Sequence, residues 1–148
     1  MHVQRAHSED LEQIISLLKL EKLPVSGVSD VIDSFSVVKS GNTVLAAGVI
    51  EPHGADGLLR SVVVASDQQG KGLGARVVSH LIDHFEGDVY LLTETAERFF
   101  VRFGFETVSR DVAPAELRAA EEFRSLCPES AAFMRRSVEA TQGKPYSS

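Results

Sequence analysis

A short stretch from Gln69 to Ala75 places glycines at alternate positions, with Lys71 between the first two. Glycines leave main-chain N–H groups uncovered, so several of these groups can point at one anion. The helical pattern that follows adds the positive end of its dipole, and Lys71 and Arg76 add mobile positive charge. The stretch therefore predicts the binding site of a phosphorylated cofactor.

Other kinds of glycine-rich loop are the alternatives for this stretch. A nucleotide P-loop needs Gly-x-x-x-x-Gly-Lys-Ser/Thr, and no such string occurs. A dinucleotide fingerprint fits Gly70-x-Gly72-x-x-Ala75, with Glu94 about twenty residues further on. The dinucleotide-binding fold starts with the fingerprint strand and places its glycines directly after that strand. Here residues 65–69 separate the strand from the glycines, and about sixty residues precede the strand. A glycine-rich turn without a ligand is the remaining alternative.

The elements around the loop form a strand–helix–strand unit. Leu58 to Val64 is nearly continuous apolar sequence, as in a central strand buried on both faces. A helix follows to about Glu86, and because a helical crossover joins them, the next strand, Val89 to Thr93, should run parallel to the first. Periodicity and turn residues predict further strands at His2–Ala6, Phe35–Lys39, Thr43–Glu51, Phe105–Ser109 and Ala131–Val138, and a turn at Gly57. They also predict a helix capped by Ser8, with Leu11, Ile14, Ile15 and Leu18 on one apolar face, and helices at Val28–Ile32, Ala96–Arg102 and Pro114–Phe123.

The composition is that of a soluble globular chain. The 148 residues are 43% hydrophobic and 24% charged, with a net charge of −6, which disfavours a broad nucleic-acid surface. The single cysteine excludes an internal disulfide and a metal site built on several thiolates. The start lacks the apolar core of a signal peptide, and no run reaches the roughly 18 apolar residues of a membrane span. We expect a cytoplasmic protein with one domain over residues 1–138, a loose polar tail over 139–148, and no metal.

Two motifs carry a resemblance to a known family. Gln69-x-x-Gly72-x-Gly74, after a Val-x-Val strand, resembles the acetyl-CoA loop of the GCN5-related N-acetyltransferases (GNAT), whose pattern is Arg/Gln-x-x-Gly-x-Gly/Ala. The stretch from Phe99 to Phe105 resembles the later helix-to-strand corner of the family, Leu-Tyr-x-x-x-Gly-Phe. The order of elements matches as well, over about residues 3 to 138. Within the family, Leu59-Arg60-Ser61 and the stretches at 90–100 and 125–131 are similar to acetyltransferases of arsenic-resistance operons.

The resemblance implies a fold and a donor. The fold would be α/β, with a mixed, mostly antiparallel sheet of six to seven strands flanked by helices. One parallel pair of strands would splay at a bulge. The donor would be acetyl-CoA, whose pantetheine arm would pair with the strand like an added strand. A main-chain N–H near Val62 would polarise the thioester carbonyl. The implied acetyl-CoA contacts are Val62, Val63, Val64, Gln69, Gly70, Lys71, Gly72, Leu73, Gly74, Ala75 and Phe100.

The resemblance leaves the proton transfers without their usual residues. The family often protonates the leaving thiolate with a tyrosine four residues before the corner glycine, and that position is Phe100 here. The asparagine often found seven residues earlier corresponds to Thr93. An amine must lose a proton to attack, since alkylammonium groups titrate at about 10. Glu51, at the end of the strand beside Leu58–Val64, is the candidate base, and a solvated carboxylate is its alternative reading.

The acceptor is predicted only by class. We expect direct attack by a primary amine of a small, amino-acid-like and anionic molecule, in a chain that is a monomer or homodimer. Acetylation of a peptide or protein amine, and a non-catalytic acyl-CoA sensor, are the alternatives. Arg60 and Arg98 could bind a substrate oxyanion, although Arg60 could instead have a structural carboxylate partner. The predicted substrate-binding residues are Arg60, Ser61, Thr93, Glu94, Thr95, Arg98, Ser125 and Cys127.

Overall fold

The computed structural model describes residues 2–120 and 130–138. It divides into two compact units. The first contains the residues up to Glu51 together with Leu59–Phe85, and the second contains Pro52–Leu58 together with the described residues from Glu86 onwards.

The first unit carries most of the N-terminal elements. Its strands are β1 (Val3–Arg5), β2 (Ser36–Ser40), β3 (Thr43–His53) and β4 (Asp56–Val64), and the ends of β3 and β4 that meet at their turn belong to the second unit. The strand order is β1-β2-β3-β4. β2 is antiparallel to both neighbours, with Val3 opposite Val38 and Val37 opposite Ala47. The helices are α1 (Leu11–Leu20) and α2 (Leu73–Asp83).

Helix α1 covers a core of aliphatic side chains. Ile14 and Leu18 lie one turn apart on its buried face, as the periodicity predicted, and they join a cluster that includes Phe35 and Val49. The helix begins differently from the prediction. Its entry is a 3₁₀ turn at Ser8–Asp10, and the carboxylate of Asp10 accepts the main-chain N–H of His7 at 2.8 Å, so Asp10 rather than Ser8 stabilises this end.

Helix α2 packs very closely on β3. A side chain at Gly48 would place its Cβ 3.0 Å from Val77 Cγ1 and 3.3 Å from Leu81 Cδ1. Only a glycine therefore allows the helix to approach the strand to this distance. The helix ends at Asp83, slightly before the predicted end at Glu86.

The second unit carries the remaining elements. They are β5 (Val89–Thr93), α3 (Glu97–Val101), β6 (Glu106–Thr107), α4 (Ala115–Arg118) and β7 (Ala132–Arg136). The start of β4 runs parallel to β5, with Gly57 opposite Val89 and Leu58 opposite Tyr90. β7 is antiparallel to both β5 and β6, so the strand order is β4-β5-β7-β6. Tyr90 stacks on Phe133 at 5.4 Å between ring centroids.

The fold prediction is confirmed. The described residues form a mixed α/β structure with seven strands, mostly antiparallel, one parallel pair and flanking helices. The predicted turn at Gly57 is wrong, because Gly57 lies inside β4 and the tight turn occurs at Gly54, which has φ +67°. Helix α4 spans only Ala115–Arg118, and the predicted continuation beyond residue 120 and the tail at 139–148 lie outside the described residues. No helix in the described part of the chain is long and apolar enough to cross a membrane.

Asp10 makes the stability of the first unit depend on pH. It is buried and lies 2.9 Å from Lys39 Nζ. Burial alone would raise the pKa of Asp10, but the hydrogen bond from the His7 N–H and the hydrogen bond and charge of Lys39 outweigh it and lower the pKa below its ordinary value of 3.8. Because the folded-state pKa is lowered, this stabilisation is complete above the unfolded-state pKa and is lost as the pH falls through the folded-state value.

We predict that Asp10→Asn lowers the free energy of unfolding by about 3 kcal/mol at pH 7, since it leaves the Lys39 ammonium without a counter-charge. At pH 3 the difference from the unmodified chain should shrink, because the wild-type carboxylate then nears protonation. Urea unfolding at the two pH values measures both quantities. Glu12→Gln, at an exposed position of α1, is the control and should change little. An equal loss at pH 3 and pH 7 would contradict the ionic role.

Candidate functional site

The glycine-rich stretch forms the entry to α2. After β4 the chain makes a 3₁₀ turn at Ser66–Gln68, passes through the loop, and starts α2 at Leu73. Gly70 and Gly72 have φ +85° and +82°, values that side chains disfavour, and Gly72 is the residue that caps the helix. A Cβ at either glycine would have no atom within 4 Å. The loop backbone therefore faces open space.

This backbone offers several hydrogen-bond donors together. The first helical bond of α2 runs from the Arg76 N–H to the Gly72 carbonyl at 3.1 Å. Helix geometry leaves the preceding N–H groups, of Leu73, Gly74 and Ala75, without an acceptor inside the helix. These donors, the helix dipole and Lys71 meet at one end of α2, an arrangement suited to a phosphate or pyrophosphate.

Side chains hold the loop to the end of β4. The Gln69 amide donates from Nε2 to the Val64 carbonyl at 3.1 Å, so this side chain anchors the loop. Lys71 Nζ donates to Gln68 Oε1 at 3.3 Å, which keeps the ammonium at the loop. The strand end is held in turn by the Ala65 N–H, which donates to the Leu45 carbonyl at 2.8 Å. The loop is thus tied to β3 and β4.

Strand β4 is irregular just before the loop. Ser61 has φ +60°, a left-handed conformation inside an extended strand. From Arg60 to Val62 three consecutive residues are half-buried, so the alternation of buried and exposed positions is interrupted. A left-handed residue of this kind is typical of a β-bulge, the irregularity that the family resemblance implied for this strand. Val63 beyond it is buried, and Val62 and Val64 are half-buried.

Glu51 and Arg60 form an ion pair between neighbouring strands. Arg60 Nη1 lies 3.6 Å from Glu51 Oε2, and the two side chains are 8% and 13% exposed. A guanidinium inside an apolar strand needs such a partner. Arg60 therefore has the structural carboxylate partner that the sequence left as an alternative. That partner is Glu51, the residue predicted as the general base. The pairing joins two candidates that sequence reasoning treated separately.

The residues of the second unit that are predicted to bind the acceptor substrate follow β5. Thr93 Oγ1 accepts the Ala96 N–H at 3.0 Å and so stabilises the start of α3. Glu94, Thr95 and Arg98 are exposed. The hydroxyl of Thr93 has a structural partner, whereas the other three face solvent within this unit.

Phe100 occupies the position at which the family often has tyrosine. Its ring is buried and packs edge-on against Phe99 and Phe105, with centroids 5.0 and 5.8 Å away. The position is apolar and supplies no proton. Tyr90 is buried in the core of the second unit, and burial raises the pKa of its phenol while a hydrogen bond with Arg135 opposes the shift. Tyr90 is stacked on Phe133 in this core and does not occupy the position of the usual acid, which is Phe100.

Two predicted residues, Ser125 and Cys127, lie outside the described residues. Within residues 2–120 and 130–138, no group of three or more histidine, cysteine, aspartate or glutamate side chains is placed to hold a metal ion. Sequence reasoning missed the left-handed conformation of Ser61. Its only signal was a polar Arg60-Ser61 pair within an otherwise apolar strand.

Comparison with known proteins places the chain among acetyltransferases. A family model described as "Acetyltransferase (GNAT) domain" matches residues 32–107. No curated protein sequence matches the chain. Among solved structures, Rv2747 from Mycobacterium tuberculosis, in complex with CoA and NLQ, has a TM-score of 0.80 at 20% identity over 93% of this chain and 99% of that one.

Two further solved structures differ in what they act on. N-acetylglutamate synthase from Neisseria gonorrhoeae, in complex with coenzyme A and N-acetyl-glutamate, has a TM-score of 0.79 at 22% identity over 92% of this chain, which spans 34% of the length of the synthase. A ribosomal-protein-alanine N-acetyltransferase from Escherichia coli has a TM-score of 0.68 at 18% identity over 92% of each chain. At these identities the likeness concerns the fold alone.

The role of Gly72 in CoA binding can be tested against Gly41, a matched glycine outside the loop. We predict that Gly72→Ala and Gly41→Ala each lower the free energy of unfolding by about 1 kcal/mol, since both residues are exposed, have φ above +50° and leave open space for a Cβ. Only Gly72→Ala should weaken CoA binding, by about fivefold or more, because only its Cβ stands beside the loop donors. Calorimetric titration with CoA measures this. Equal affinities for CoA in the two variants would contradict the assignment of the loop.

Proposed function

The chain belongs to the GNAT family of acetyltransferases, and on that premise we propose that it moves an acetyl group from acetyl-CoA to the primary amine of a small, amino-acid-like molecule. The observation that carries the proposal is the loop at the start of α2, where left-handed glycines, free helical N–H groups and Lys71 meet. It lies within the region that the family model matches.

The residues of the first unit fit the donor. Acetyl-CoA supplies an acetyl group activated as a thioester. The N–H groups from Gln69 to Ala75 would bind its pyrophosphate, with Lys71 adding charge. Main-chain groups of Val62, Val63 and Val64 would pair with the pantetheine arm, since β4 leads through a 3₁₀ turn to the loop. Two of the similar solved structures contain CoA, which supports this choice of donor.

The transfer then needs one developing charge stabilised, two protons removed from the nitrogen of an ammonium, and one proton added to the sulfur. The amine nitrogen forms the new C–N bond, the C–S bond breaks, and the sulfur keeps its electron pair. During this step negative charge grows on the acetyl oxygen, which the N–H of Val62, next to the left-handed Ser61, would stabilise. The ammonium first gives one proton to a base, which frees the lone pair that attacks, and the nitrogen gives up a second proton as the amide forms. The sulfur takes up one proton from water, because Phe100 has none to give.

Glu51 is the base in this proposal. It lies on β3, adjacent to β4 in the sheet, and the guanidinium of Arg60 holds it in place. Because the carboxylate is only partly exposed, it would act on an amine directly or through one water molecule. Arg60 would therefore position the base rather than bind the substrate.

The acceptor proposed is an amino acid or an amino-acid analogue that carries phosphorus or arsenic. With Arg60 engaged by Glu51, Arg98 is the exposed arginine left among the candidates for an acidic group of the substrate. Glu94 and Thr95, also exposed, are the candidates for contacts to the ammonium group before it is deprotonated. The bound N-acetyl-glutamate of the gonococcal synthase supports an acidic acceptor of this size.

A panel of amines with acetyl-CoA tests the function. We predict steady release of free CoA thiol with amino acids or with phosphono, phosphino or arsono amino-acid analogues, and none with basic peptides of matched concentration. Mass spectrometry of the product should show one added acetyl group on nitrogen. Turnover with peptides alone would favour a protein acetyltransferase, and tight CoA binding without thiol release from any amine would favour an acyl-CoA sensor.

The same assay tests the base. With the amine found in the panel, Glu51→Gln should lower kcat by about 100-fold while calorimetric CoA affinity stays within about twofold. A melting curve checks that the loss of the Arg60 partner has not unfolded the protein. Glu106→Gln, at an exposed position on β6, is the control and should leave kcat unchanged. An unchanged kcat in folded Glu51→Gln would remove Glu51 from the mechanism.

A further inference from the structure

Ser61 combines two unfavourable features at one position. Its φ of +60° is disfavoured for any residue with a side chain. Its Oγ atom is buried, and no hydrogen-bond partner for it occurs among the described residues. A glycine at this position would avoid both features. Strained, unsatisfied residues of this kind cluster at sites where the strain serves function.

The surroundings of Ser61 distinguish it from an ordinary turn residue. The other non-glycine residue with positive φ in the described part of the chain is Lys22, at φ +61°, in an exposed turn after α1. Ser61 instead interrupts β4, the strand that precedes the glycine-rich loop. The strained backbone therefore lies in the strand that is proposed to bind acetyl-CoA.

The hydroxyl of Ser61 also lies beside a second donor. Ser61 immediately precedes Val62, whose main-chain N–H is the proposed donor to the acetyl oxygen. Four covalent bonds separate Ser61 Oγ from that nitrogen, so the two donors are neighbours along the strand. A serine hydroxyl has one proton to donate. Because that proton has no partner among the described residues, an oxygen of a bound molecule would satisfy it.

We propose that the Ser61 hydroxyl donates a hydrogen bond to the thioester carbonyl oxygen of acetyl-CoA, as a second donor beside the Val62 N–H. The inference rests on the proposed function. Ser61 keeps its own proton throughout and forms no bond to the acetyl group. It stabilises the charge that grows on the oxygen as the C–N bond forms, and the left-handed backbone places the hydroxyl for this task.

Three variants separate this role from a structural one. Ser61→Ala removes the hydroxyl and keeps the strain, and Ser61→Gly removes both. Lys22→Gly removes equivalent strain away from the site and is the matched control. We expect both Ser61 variants to lower kcat by about 100-fold with KM for acetyl-CoA within about twofold. We expect Ser61→Gly and Lys22→Gly to melt at or above the temperature of the unmodified protein.

The closing measurement uses acetyl-CoA labelled with ¹³C at the thioester carbonyl carbon. The infrared band of that carbonyl is recorded with the donor bound to the protein and no amine present. The band should lie at lower frequency in the unmodified protein and in Lys22→Gly than in Ser61→Ala. The same band position in all three proteins would overturn the role of Ser61. So would a fall in melting temperature in Ser61→Ala without a change in kcat. Because the spectrum needs no turnover, it tests Ser61 even if the amine panel shows no transfer.

Discussion

The close packing of α2 on β3 at Gly48 is the constraint on which the site depends. With Val77 Cγ1 only 3.0 Å from where a Cβ would stand, a side chain at Gly48 would force its neighbours on the helix to shift. We infer that this packing helps to position the start of the helix, and the loop at that start carries N–H groups that have no acceptor inside the helix. The aliphatic face of α2 thus does more than fill a core, because it places a row of hydrogen-bond donors at the end of β4.

Strand β4 concentrates the unfavourable features of the first unit. It contains a nearly buried arginine paired with Glu51, a left-handed serine with a buried hydroxyl, and the half-buried Val62. The buried arginine and the strained serine would each weaken a strand. These features follow one another just before the glycine-rich loop, and they have a common explanation if this strand binds acetyl-CoA. A strand with only a packing role would be more stable with regular apolar residues.

The sequence predicted what depends on local pattern. Glycine spacing located the loop, apolar periodicity located the buried face of α1, and the strand–helix–strand order predicted the parallel pair at Gly57 and Leu58. It failed where distant residues decide. The partner of Arg60 comes from another strand, and so does Lys39, which pairs with Asp10 at the start of α1. The left-handed conformation of Ser61 had only the weak signal of a polar pair in an apolar strand. The sequence alone showed that Phe100 lacks the hydroxyl of the usual acid. It could not show that the hydroxyl of Thr93 is already bonded to the Ala96 N–H, because that contact depends on how α3 begins.

The binding of the CoA pyrophosphate by the loop at the start of α2 is the central claim, and backbone amide NMR tests it most directly. Titration with CoA should move the amide signals of Gly70, Gly72 and Gly74 downfield, as expected for N–H groups that donate to phosphate oxygens. Pantetheine, which lacks the pyrophosphate, should leave these signals in place. Equal shifts with both compounds, or CoA-induced shifts confined to residues away from this loop, would contradict the claim.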